Sequence, residues 1–148
     1  VYEAAGVTII DDTYNASPDS MKAGIKVLSS FETSRRRVAV LADMKELGPD
    51  AGLFHRQVGE FLAGEQVDAL ITLGELAEQI EEGARLRRPS LFAASFRDKE
   101  EMTRFLEEFL KPGDCVLFKG SNSMKLGETA LYFRNKGKEQ AESAQARG

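Results

Sequence analysis

Ile-Ile-Asp-Asp-Thr-Tyr-Asn-Ala-Ser-Pro-Asp-Ser-Met, residues 9–21, carries a β-branched run straight into a polar loop and then a helix start. Val7, Ile9 and Ile10 read as a strand. Pro18 stands where a first helical turn tolerates it, with Ser17 before it as the N-cap. Met21, Ile25 and Leu28 then recur at i, i+4 and i+7 and predict a helix facing a core. Two further junctions share this character: Val38 to Leu41 runs into Ala-Asp-Met-Lys-Glu-Leu-Gly (42–48), and Val116 to Phe118 runs into Lys-Gly-Ser-Asn-Ser-Met (119–124).

Strand-like runs alternate with helix-period segments along the whole chain, which predicts an α/β domain on a mainly parallel sheet. The expected strands lie near 2–5, 7–12, 37–42, 68–73, 91–95 and 114–119, and the helices near 18–31, 50–65, 75–86, 98–110 and 122–135. Residues 1–5 and 7–11 flank Gly6 as a short hairpin, so one edge of the six-stranded, Rossmann-like three-layer sheet should be antiparallel. Met102, Phe105, Leu106, Phe109 and Leu110 form a core-facing stripe. Beyond Lys136 no large apolar residue remains, so residues 136–148 read as a polar, disordered tail after a single domain over 1–135. The chain begins Val-Tyr-Glu without Met, as expected of a piece of something longer.

Composition narrows the functions. A net charge of −4 argues against a nucleic-acid surface, and the Arg35-Arg36-Arg37 cluster reads as a cap on a strand start. Cys115 is the single cysteine, which excludes an internal disulfide and fits a reducing, cytoplasmic setting. No apolar run approaches the roughly 20 residues of a membrane-spanning helix.

Ligands of parallel α/β sheets bind outside the carboxyl ends of the strands, where all three polar loops fall. Asp11 and Asp12 are candidates for ribose hydroxyls or a cation, unless one of them caps the loop. Tyr14 and Asn15 are candidates to stack on or hydrogen-bond a base, although Asn is equally at home in a turn. Ser17 and Ser20 fit capping. Lys119-Gly120-Ser121 reads as the opening of a helix whose free amides favour an anion. Its glycine spacing is not that of a phosphate-cradling loop, so phosphate chemistry has to be supplied from elsewhere. Asp43, Lys45 and Glu46 line the third loop. His55 stands alone, which fits a structural role, and no second His or Cys cluster supports a metal site. A Gly-x-Ser-x-Gly elbow and a Gly-x-Gly-x-x-Gly turn are both missing.

The three motifs, together with His55 and Val58-Gly59, resemble the C-terminal domain of the Mur ligases, in the branch that joins D-alanyl-D-alanine to UDP-N-acetylmuramoyl-tripeptide. Relatives commonly carry Asn at Ser17, Gly at Ala42 and Arg at Asn122. The resemblance implies the third domain of an ATP-dependent amide ligase, with UDP-sugar, ATP phosphate and Mg²⁺ sites on the missing N-terminal and central domains and no catalytic residue in this piece. It puts Asp12, Tyr14 and Asn15 on the nucleotide side, and Lys119, Gly120, Ser121 and Asp43 on the side of the acceptor dipeptide. A receiver-like phosphoacceptor and a non-catalytic nucleotide-binding module are the alternatives. The receiver fits worse: one helix–strand unit separates Asp12 from Asp43 where that pattern needs two, and no Lys-Pro follows the last strand.

Overall fold

The computed structural model describes residues 1–147. Six strands, β1 (Tyr2–Ala4), β2 (Val7–Asp12), β3 (Arg37–Ala42), β4 (Ala69–Leu73), β5 (Phe92–Phe96) and β6 (Cys115–Lys119), form one sheet in the order β1-β2-β6-β3-β4-β5. β1 is antiparallel to β2 through a turn at Ala5 and Gly6, both with positive φ, and the other pairings are parallel. The expected sheet, with its antiparallel edge, is the one observed.

The helices are α1 (Pro18–Ser30), α2 (Ala51–Ala63), α3 (Glu78–Arg87), α4 (Lys99–Phe109) and α5 (Leu126–Arg147). The path β2-α1-β3-α2-β4-α3-β5 moves outward across the sheet, and α4 then returns the chain to β6, between β2 and β3. Crossovers between parallel strands are right-handed, so reversing the direction of travel moves the connecting helix to the other face. Met21, Ile25 and Leu28 of α1, Val58 and Leu62 of α2 and Ile80 of α3 accordingly pack with Leu41, Leu70 and Leu117. Met102 and Leu106 of α4 and Leu126 and Ala130 of α5 cover Val40, Ile71, Val116 and Phe118 on the opposite face. Phe105 and Phe109 of the predicted stripe are only half-buried and stack with the edge residue Phe92. α2 and α3 come close enough that a side chain at Gly59 would overlap the Ile80 carbonyl.

Two expectations change. The last helix does not begin at 122: residues Asn122–Met124 make a 3-10 turn, Lys125 takes a left-handed conformation (φ 58°), and α5 starts at Leu126. Residues 136–147 continue α5, where composition predicted a disordered tail over 136–148; Gly148 lies outside the described residues. The continuation begins on packed residues, with Gly137 against Ala4 and Lys136 paired to Glu107 at 3.0 Å. Over residues 138–146 the side chains are exposed, but Lys, Glu, Gln and Ala prolong an established helix at little cost.

At the amino end of the sheet, Asp114 is buried and accepts hydrogen bonds from Arg36 Nη2 (2.7 Å), Arg36 Nε to its other oxygen (3.1 Å) and the Lys111 amide (2.8 Å). The arginine cluster thus locks the sheet to the turn before β6. Burial alone would raise the Asp114 carboxyl, but the hydrogen bonds from Arg36 and Lys111 and the charges of Arg36 and Arg35 outweigh it and hold its pKa below the ordinary carboxylate value. Burial pushes the neighbouring Cys115 thiol up to about 11, as suits an inert core residue.

Because the folded-state pKa of Asp114 is depressed, its contribution is present above the unfolded carboxylate pKa and is lost as pH falls through the folded value. Asp114→Ala should cost about 3 kcal/mol at neutral pH, the lower end for breaking a buried pair, since Arg36 keeps some access to water. Urea midpoints followed into acid should show the gap between variant and wild type closing; a gap independent of pH would contradict this.

Candidate functional site

The carboxyl ends of β2, β6 and β3 lie side by side, and their following segments lead to opposite faces of the sheet: α1 and α2 on one, α5 on the other. Neighbouring strands whose connections diverge leave a crevice at their ends, the position at which open α/β sheets bind ligands. Three loops border it: 13–17, 43–50 and 120–125.

Ser17 caps α1 as its sequence position predicts. Its Oγ accepts from the Ser20 amide (3.2 Å) while Ser20 Oγ accepts from the Ser17 amide (2.8 Å). Ahead of this cap, Tyr14 stands 86% exposed, and Asn15 Oδ1 accepts from the Ala16 amide at 2.8 Å. Thr13 Oγ1 donates to Asp11 at 2.7 Å. Asp12, at the end of β2, is half-exposed and pairs in register with Lys119 at the end of β6.

Lys119 belongs with this first loop and not with a separate anion-binding loop. Its side chain is 2% exposed, and Nζ donates to Asp12 Oδ2 (2.6 Å) and to the Asn15 carbonyl (3.3 Å). The stem passes beneath α1 at Gly24, where a Cβ would come within 2.9 Å of Lys119 Cδ. The helix opening expected at Gly120 and Ser121 is also absent. The Ser121 amide donates to the Asp43 carbonyl (3.0 Å), and the Met124 amide to the Ser121 carbonyl (2.9 Å). Gly120 has no positive φ, and a Cβ there would lie 2.6 Å from Ala42 Cβ, so the glycine answers to the neighbouring strand end.

The loop after β3 is held from three sides. Asp43, 4% exposed, accepts at Oδ1 from the Ala77 amide (2.7 Å) and so ties this loop to the turn after β4. Ser121 Oγ accepts from the Lys45 amide (2.8 Å). His55, fully buried on α2, accepts at Nε2 from the Met44 amide (2.9 Å) while Nδ1 faces the Ala51 carbonyl (2.6 Å), a pairing that assigns the proton to Nδ1. The lone histidine is therefore structural. What the loop offers outward is Lys45, with 46% of its side chain exposed and Nζ 3.7 Å from Asp43, and Glu46, held at φ 61°. Farther along the rim a hydrogen bond from Arg97 keeps Glu78 below its usual carboxylate range. Among the described residues no group of three or more His, Cys, Asp or Glu side chains converges as a metal ligand set would.

A doubly covered, mainly parallel sheet with a polar rim over its central strands defines an α/β domain of the three-layer, Rossmann-like class. Residues 1–122 match the family model described as Mur ligase, glutamate ligase domain, and the chain belongs to that family. It is 37% identical over 124 residues to the UDP-N-acetylmuramoyl-tripeptide--D-alanyl-D-alanine ligase of Bacillus subtilis, covering 84% of this chain and 27% of that protein. The enzyme of the same name from Mycobacterium tuberculosis is 36% identical over 143 residues, covering 84% of this chain and 28% of the relative. The fold superposes on the crystal structure of MurF ligase from Thermotoga maritima in complex with ADP with a TM-score of 0.73 at 30% identity, over 94% of this chain and 30% of that one. A MurF structure from Acinetobacter baumannii gives a TM-score of 0.78 at 29% identity, covering 91% and 30% of the two chains. The chain thus spans less than a third of the length of these relatives.

His55→Phe would fill the space of the imidazole but leave the Met44 amide buried without an acceptor, a loss of about 1–3 kcal/mol. The urea midpoint should fall by that amount, with faster amide exchange across residues 43–48 and an unaltered circular dichroism spectrum. A wild-type midpoint would remove His55 from this role.

Proposed function

We propose that this domain is the carboxy-terminal, closing part of a cytoplasmic, ATP-dependent ligase that joins D-alanyl-D-alanine to UDP-N-acetylmuramoyl-tripeptide. The observation that carries the reading is the single rim on which the Asp12-Tyr14-Asn15 loop and the Lys45 loop are locked side by side, in a chain of this family. The names of the relatives and the ADP in the Thermotoga maritima structure support the substrate and nucleotide assignments.

In this reaction the tripeptide's terminal carboxylate attacks the γ-phosphorus of ATP, ADP departs, and an acyl phosphate results. The amine of the dipeptide then attacks the acyl carbon, loses its proton, and releases inorganic phosphate as the amide forms. The UDP-sugar site, the phosphate loop and the Mg²⁺ ligands belong, on this reading, to the other domains. Asp12 accepts from the ribose end of ATP, with Tyr14 and Asn15 along the adenosine. Lys45, an exposed cation of the rim, meets the dipeptide carboxylate, and Asp43 and Ser121 act by holding its loop. Closing such a rim over a second domain excludes water from an acyl phosphate that would otherwise hydrolyse.

The test is made in the full-length ligase that carries this domain. Asp12→Ala should raise the KM for ATP, and Lys45→Met the KM for D-alanyl-D-alanine, each by roughly 1.5–3 kcal/mol of lost charge-assisted hydrogen bonding. The chain alone should form no amide. ATP-dependent ligation by the isolated chain, or unaltered kinetics in both variants, would defeat the proposal.

A further inference from the structure

Lys119 is the most deeply buried cation of the rim, and its surroundings are those of a group set in place to hold others. The strand that carries it is fixed on both sides, with Asp12 and Leu41 as its register partners on β2 and β3. Its stem is covered by α1 at Gly24, and its Nζ ends on Asp12 Oδ2 and the Asn15 carbonyl. Loop residues 13–15 are otherwise poorly anchored. Tyr14 and Asn15 are exposed, and the side-chain bonds of Thr13 and Asn15 reach only their chain neighbours Asp11, at the end of β2, and Ala16. Among the described residues, the hydrogen bond that reaches Asn15 from another element is the one from Lys119. Two of the three Nζ hydrogens are engaged, the charge is matched by Asp12, and the side chain is 2% exposed, so Lys119 presents little of itself to a substrate carboxylate.

We propose that Lys119 is a positioning residue for the nucleotide-side loop: it touches no substrate, but fixes the Asp12 carboxylate and the Asn15 backbone in the arrangement that receives ATP. Gly24 is its structural complement on α1, leaving the space through which the lysine stem reaches the loop. This inference rests on the reading that the loop after β2 faces the nucleotide. It separates Lys119 from the acceptor dipeptide, to which a lysine at this sequence position would otherwise be assigned. It also makes Gly24, a residue without polar chemistry on a covered helix face, a determinant of nucleotide affinity.

The experiment compares wild type, Lys119→Met, Gly24→Ala and the double variant in the full-length ligase, measuring ATP affinity by calorimetry together with the KM values for ATP and D-alanyl-D-alanine. Loss of a charge-assisted contact behind Asp12 predicts that Lys119→Met weakens ATP binding roughly ten- to hundredfold. The dipeptide KM at saturating ATP should change less than about threefold, within the range of an indirect effect. Gly24→Ala, which forces the stem aside, should weaken ATP binding in the same direction. Its melting temperature should not fall in step, because alanine is the better helix former. The double variant should be no worse than Lys119→Met, since both changes act through one contact. A rise confined to the dipeptide KM would overturn the inference and leave the ligase reading standing. If wild type shows no dipeptide-dependent turnover, that reading falls, and the inference is decided by ATP affinity alone: equal affinity in wild type and Lys119→Met, or no ATP binding by wild type, ends it. Should Lys119→Met fail to fold, unchanged ATP affinity in Gly24→Ala overturns the inference by itself.

Discussion

The handedness of the crossovers is the constraint on which this domain depends. Three successive units travel outward from β2 to β5 with α1, α2 and α3 on one face, and the return through α4 to β6 has to cross on the other. That reversal inserts β6 between β2 and β3, buries it on both sides, and brings three polar loops from distant parts of the chain onto one rim. Leu117 and Phe118, consecutive in β6, belong to the cores on opposite faces. A strand so placed has little freedom to shift register, which makes its last residue a well-defined point from which a side chain can act.

The rim then illustrates how buried polar groups are tolerated. Asp43, His55, Lys119 and Ser121 are all buried, and each finds a partner on another segment: Ala77, Met44, Asp12 and Lys45 respectively. No buried side-chain nitrogen or oxygen among the described residues lacks a partner. Satisfied networks of this kind specify one arrangement, because breaking any member strands a desolvated group. The loops are therefore stiff where they meet each other, while Tyr14, Lys45 and Glu46 project outward from stiff supports. Such a rim is suited to meeting a ligand held by a second domain.

Much of this was legible beforehand. The strand and helix positions followed from periodicity, since residues two or about 3.6 apart share a face whatever they pack against. The cap at Ser17 was equally plain, because the atoms that satisfy it are three residues away. The start of α5 was not: Asn122–Met124 looks helical in isolation, and only the hydrogen bonds that tie Ser121 to Asp43 and Lys45 divert the chain into a 3-10 turn first. The far end of α5 carries no apolar pattern to announce it: helix propensity extends a segment already anchored at Lys136 and Gly137, so its order does not depend on burial of its own side chains.

Sequence by itself determined the fold class, the three rim loops, the candidate residues Asp12, Tyr14 and Asn15, and the family resemblance that the comparisons bear out, all of which rest on local pattern. Only the tertiary structure decided what each polar side chain is free to do. Lys119 reads as an available cation until β2, lying 107 positions earlier in the chain, brings Asp12 against it. Asp43 gives no sign in the sequence of its bond to the Ala77 amide in the turn after β4, and Gly24 carries no signal at all until the lysine stem is seen beneath it. The physical reason is that a charge or donor is spent by whichever partner lies nearest in space, and that distance is set by the packing of strands far apart in the chain.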